Sequence, residues 1–167
     1  MVNKRHRNAA SGRFAAARDA EADPERHVAE RVRALPVLRI ERMNGHMVKL
    51  HLGDGRVVHQ FTAADGPGAD YHDHPWQFSS TILAGGYVEQ VMDITRPHDP
   101  PQEIERRPGD TFRNEAGTIH RIIRLLEPEC WTVITPGEHE RTPGFYQFRP
   151  DGAWHRLWHD PEFTRLP

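Results

Sequence analysis

The stretch Tyr71-His72-Asp73-His74-Pro75-Trp76 sets two imidazoles two positions apart. In an extended strand alternate side chains share a face, so His72 and His74 can reach a single metal ion. Asp70 falls in the same phase and Asp73 in the opposite one, while Pro75 removes a ladder donor, so the strand is expected to end at a sheet edge or barrel mouth. A third ligand has to come from elsewhere in the fold. The best candidate is His120, which opens the run HRIIRLL after Arg107-Pro108-Gly109-Asp110-Thr111-Phe112 and the polar stretch Asn114-Glu115-Ala116-Gly117-Thr118. The chain carries 12 histidines in 167 residues, so chance pairs are common and the assignment rests on spacing and strand placement. His51 and His59, on either side of an Asp-Gly turn, form a weaker pair that could face each other across it.

These residues need a scaffold, and the chain is the length of one domain with one core. Its formal net charge of −2 exerts no general pull on nucleic acid or acidic membranes, and no apolar run is long enough to span a bilayer. No secretory signal is read at the start, so a cytoplasmic location is expected. The single cysteine, Cys130, sits in the apolar run CWTVIT and reads as a buried, inert thiol. Residues 1–22 read as a flexible basic arm: the first 18 hold five basic and no acidic side chains, with Phe14 their lone aromatic. A short helix is expected over 23–35, from the cap candidate Asp23 through Pro24 to the stripe Val28, Val32 and Leu35.

After Pro36 the period becomes extended. Ten runs follow, VLRIERM, HMVKLHL, RVVHQF, QFSSTILAG, GYVEQVMDI, QEIERR, HRIIRLL, CWTVIT, FYQF and WHRLW, separated by turn signals such as Asp54-Gly55 and Gly85-Gly86. About ten strands with almost no helix between them imply antiparallel pairing closed into a barrel or jelly roll over 36–167.

The spacing His72-Asp73-His74, followed by Gly85-Gly86, and the later Pro108-Gly109-Asp110 leading to His120 resemble the two motifs of the cupin superfamily. More narrowly, HDHPW with FSSTILAGGYVE and PGD…HRI looks like small cupin-like proteins of bacteria and phages. The resemblance covers roughly residues 37 to 150 and implies an all-β, cupin-type jelly-roll barrel. It departs from the family at one point: Trp76, Gln77, Phe78, Ser79 and Ser80 stand where a ligand glutamate is expected.

Three imidazoles, His72, His74 and His120, would leave open positions on one divalent transition metal, with Fe(II) favoured over Mn, Ni or Zn. Such a site resembles cupins of the thiol dioxygenase type; one built with Asp70 would resemble oxoglutarate-dependent oxygenases, and Gln77 is a weaker further candidate. The resulting expectation is a mononuclear Fe(II) dioxygenase or hydroxylase acting on a small molecule, with Tyr87 and Arg121 as candidate catalytic residues. The alternatives are a non-redox metal cupin, an isomerase or lyase, or a non-catalytic ligand-binding module. A small-molecule substrate and a homodimer are the partners considered, with no membrane and with nucleic acid touched at most weakly through the basic arm. Phosphate-loop, paired-cysteine zinc and Gly-x-Ser-x-Gly signatures are absent.

Overall fold

The computed structural model describes residues 28, 30–32, 34–43, 45–66 and 68–167. The basic arm expected over 1–22 and the start of the expected helix lie outside them; positions 28 and 30–32 are helical. Among the described residues no helix is long and apolar enough to cross a membrane.

The strands are β1 (Val37–Met43), β2 (Met47–Leu52), β3 (Val57–Phe61), β4 (Tyr71–His72), β5 (Phe78–Ala84), β6 (Tyr87–Met92), β7 (Gln102–Arg106), β8 (Thr111–Asn114), β9 (Ile119–Leu125), β10 (Cys130–Pro136), β11 (Gly144–Arg149), β12 (Gly152–Leu157) and β13 (Thr164–Arg165). Each of the ten runs singled out in the sequence forms a strand. The other three, β4, β8 and β13, are only two to four residues long, too short for an apolar period to show.

They form two antiparallel sheets, ordered β1-β2-β3-β10-β5-β8 and β13-β12-β11-β4-β9-β6-β7. Chain-distant strands lie side by side at β3-β10-β5 and at β11-β4-β9-β6, and this crossing of connections between two facing sheets is the jelly-roll arrangement. The chain is thus all-β, as its sequence implied. One expectation needs correcting: β4 does not lie at an edge. It is held between β11 and β9, with His72 opposite Phe145 on one side and opposite His120 on the other.

The interior between the sheets is closed at one end by Ile82, Tyr87, Ile122 and Cys130, backed by Phe61, Ala64, Phe112 and Leu125. Each large apolar side chain buried this way contributes about 1.5–3 kcal/mol. Toward the other end Val57, Phe78 and Ile134 pack with Trp76. Between these two apolar clusters the inward positions turn polar. Outside the first sheet, Trp131, Val58, Leu52 and Ala84 pack against Val32, which puts the helical turn on the barrel's outer face. Between β5 and β6, Gly85 has φ 73°, and a Cβ there would lie 2.0 Å from the carbonyl oxygen of Glu129. Only glycine lets that turn pass the neighbouring backbone.

Candidate metal centre

Strand alternation puts His120 on the inner face of β9, two residues from the core residue Ile122. Its Cα partner on β4 is His72, and His74 follows one turn of extended chain later. The three rings meet: centroids lie 5.2 Å apart for His72 and His74, 4.9 Å for His72 and His120, and 5.1 Å for His74 and His120. One ligand nitrogen from each falls within 4.8 Å of the others, and among the described residues no carboxylate or thiol joins the group. His74 Nε2 and His120 Nε2 are 2.8 Å apart. Two imidazole nitrogens bound to one ion at about 2.1 Å are themselves about 3 Å apart, so the pair fits a shared ion.

The tautomers agree with this. His120 Nδ1 lies 2.6 Å from Oε2 of Glu89, a carboxylate with no solvent exposure, and donates to it. His120 Nε2 therefore keeps its lone pair, and the short contact to His74 needs one proton between the two nitrogens, which an ion would replace. Arg106 Nε donates to the other Glu89 oxygen at 2.7 Å. Burial opposes the Glu89 carboxylate, but the His120 and Arg106 hydrogen bonds and charges outweigh it and hold the group below its ordinary range. Burial, followed by the charges of His120 and Lys49, lowers His72 to about 3. The same causes, desolvation first and then His120 and His72, hold His74 well below its usual value. Neutral imidazoles are what a metal requires.

Asp73, between the two ligand histidines, points to the outer face of the sheet. There its Oδ1 accepts the Gly144 N–H at 2.6 Å, and its Oδ2 accepts the Tyr146 hydroxyl at 2.8 Å and faces Arg141 Nη2 at 3.0 Å. These bonds tie the segment carrying both histidines to β11 and fix its register. Burial, then the bond to Asp73, pushes Tyr146 up to about 12, so its hydroxyl stays a donor.

Other candidates are placed elsewhere. Asp70 accepts Gln147 Nε2 at 2.8 Å and lines an outer cleft, because the strand does not begin until Tyr71 and the expected alternation stops there. Gln77 is held at the barrel rim by Arg113, not at the histidines. Arg121 follows His120 on β9 and so faces the other way. It bonds Gln90 Oε1 and the Ala69 carbonyl and lies over the Tyr71 ring at 4.3 Å. Together with Tyr71, Met92, Tyr146 and Arg149 it lines that outer cleft, of about 480 Å³. Tyr87 does face inward, but it sits in the closed apolar end, where burial and then the Glu89 charge raise its hydroxyl well above the ordinary range. His59 pairs with Lys49 in the hairpin, and His51 pairs with Val57, so the expected His51–His59 pair does not form.

The sequence reading passed over Glu89 and Arg106. A signal existed: Tyr87, Glu89 and Val91 share a phase of YVEQVM, so an acid occupies an inward position of an apolar strand.

No family model and no curated protein matches the chain. Among solved structures it is similar to hydroxypropylphosphonic acid epoxidase from S. wedmorenis, at 14% identity and a TM-score of 0.48 over 59% of this chain and 55% of that one. It thus spans little more than half of the epoxidase. A recombinant oxalate oxidase in complex with glycolate is similar at 16% identity and TM-score 0.40, covering 53% and 43%. The Drosophila melanogaster CENP-C cupin domain is similar at 9% identity and TM-score 0.46, covering 59% and 74%.

Proposed function

We propose that the protein is a mononuclear metal enzyme, an Fe(II)-dependent dioxygenase or hydroxylase acting on a small molecule, with His72, His74 and His120 holding the metal. The observation that carries the reading is the convergence of three imidazoles inside a barrel, with one of them oriented by a buried carboxylate. The cupin-like spacing of the two histidine segments supports it from the sequence. Once bound, iron would supply redox chemistry and open positions for dioxygen and a small molecule.

The chain's own groups have separable tasks. Glu89 keeps the His120 proton on Nδ1 and so presents Nε2 inward, while Arg106 keeps Glu89 ionised and aimed. Asp73 holds the backbone between His72 and His74. Phe78, whose ring centre is 4.8 Å from that of His74, and the neighbouring apolar cluster exclude water from one side of the site.

The test is elemental analysis of the purified chain expressed in iron-supplemented medium, paired with the His72→Ala variant. About one iron per chain, lost in the variant, and Fe(II)-dependent oxygen uptake are expected. No stoichiometric metal in either protein defeats the reading. Metal bound without oxygen uptake moves it to a non-redox isomerase or lyase, or to a ligand-binding module.

A further inference from the structure

The inner face of the first sheet opposes the histidines, and its side chains are set by register. Phe61 belongs to the interior cluster that joins both sheets, so His59, two residues earlier on β3, also points inward. The Cα partners of His59 are Lys49 on β2 and Thr132 on β10, which makes Lys49, His59 and Thr132 one row on that face. Thr132 is 2% exposed. On either side of His59, Val57 packs with Phe78, whose ring contacts His74, and Phe61 packs in the cluster of Ile122, two residues from His120, so this row lies along the same stretch of the interior as the three histidines.

Lys49 is half-buried, and among the described residues its ammonium makes no hydrogen bond or ion pair. The acid that faces it across the β1–β2 pair, Glu41, is engaged by Arg39 Nη2 at 3.0 Å and His51 Nε2 at 2.9 Å. Inside the barrel, Glu89 is engaged by Arg106 and His120. Glu41 still attracts the ammonium through space without an ion pair, but burial outweighs that attraction and disfavours the charge on Lys49; a bound anion would offset the cost. With a divalent ion on the three histidines, the interior would hold a surplus of positive charge that favours an anionic ligand still more.

We infer that Lys49 is the specificity-determining residue of this site, receiving the carboxylate of a small monoanionic substrate whose remaining part faces His72, His74 and His120. An ammonium next to an imidazole, which in turn neighbours a hydroxyl in the same row, suits one negative charge and two acceptor oxygens, which is a carboxylate. The inference extends the proposed function and takes from it the metal side of the substrate; the charge at Lys49 stands without it.

The experiment titrates acetate and propionate, with acetamide and propionamide as neutral counterparts, at constant ionic strength. Binding is read from the visible absorption of the Co(II)-loaded protein and from thermal shifts of the metal-free protein. Saturable binding of the carboxylates and none of the amides is expected. Lys49→Met and, independently, Lys49→Gln should weaken the carboxylates at least tenfold with Co(II) stoichiometry unchanged, and Lys49→Arg should restore part of the loss. Equal carboxylate affinity in the Met and Gln variants, or amides binding as tightly as acids, overturns the inference. If Co(II) is not held, the proposed function fails by itself. Lys49 is then judged on the metal-free protein, where propionate should stabilise the wild type and not Lys49→Met, and no stabilisation of the wild type counts against it.

Discussion

Glu89 and His120 are bonded at 2.6 Å across adjacent strands of one sheet, a buried carboxylate accepting from the ring nitrogen that faces away from the other two histidines. Their backbones are two residues out of register, Glu89 opposite Ile122 and His120 opposite Val91. The bond is therefore diagonal and made by the long glutamate side chain. It converts a generic inward histidine into one with a defined tautomer.

Glu89→Gln should retain the shape and lose the charge that holds the Nδ1 proton. Metal affinity is expected to fall about 10–100-fold, measured by competition with a coloured chelator. An unchanged affinity would mean that Glu89 serves Arg106 alone.

His74→Ala removes one of the two nitrogens in the 2.8 Å contact. Metal content should drop well below one per chain, while far-ultraviolet circular dichroism remains that of a β protein, because the ring stacks on Phe78 and the other two histidines and carries no backbone pairing.

Asp73→Ala leaves the Gly144 N–H and the Tyr146 hydroxyl without their acceptor in a buried place. Each unsatisfied group costs about 1–3 kcal/mol, so a loss of about 2–5 kcal/mol is expected in urea denaturation. Metal affinity should fall with it, since both flanking ligands lose their anchor. A loss below about 1 kcal/mol would argue that the segment is held by its backbone bonds alone.

Metal-free protein should lose stability as the pH falls from about 6.5. Burial lowers His59 and His72 to about 3, so the unfolded chain takes up protons that the folded one refuses. Their contribution is complete above pH 6.5 and is lost progressively down to about 3. Between pH 6.5 and 5 the lowered carboxylates are ionised in both states, so the slope of the urea midpoint there reports the histidines. Saturating metal should raise the midpoint across the interval while leaving this slope, which the unfolded chain sets, in place. A midpoint independent of pH in that interval would contradict the burial of these rings.

Much of this arrangement could be read in the chain. Period-two runs bounded by Asp54-Gly55 and Gly85-Gly86 identified ten strands, because alternation and turn chemistry are local properties. His72 and His74 were identifiable as a pair for the same reason. The strands β4 and β8 could be read only as short extended pieces, at the histidine pair and after Pro108-Gly109-Asp110, and β13 not at all: two to four residues carry no apolar period, and they exist because neighbouring strands pair with them. The His51–His59 pairing failed on register, a property of the hairpin turn, which set Lys49 opposite His59 instead.

By itself the sequence determined the all-β class, the turns and the His72/His74 pair, all of which depend on residue types a few positions apart, and it offered His120 as a candidate third ligand. Only the tertiary structure decided which face each strand turns inward. That choice joins His120 to Glu89, sends Arg121 to an outer cleft, keeps Asp70 and Gln77 away from the histidines and sets Lys49 opposite His59. The reason is physical: a side chain's partners across a jelly roll come from strands tens of residues away, and their register follows from the packing of two whole sheets.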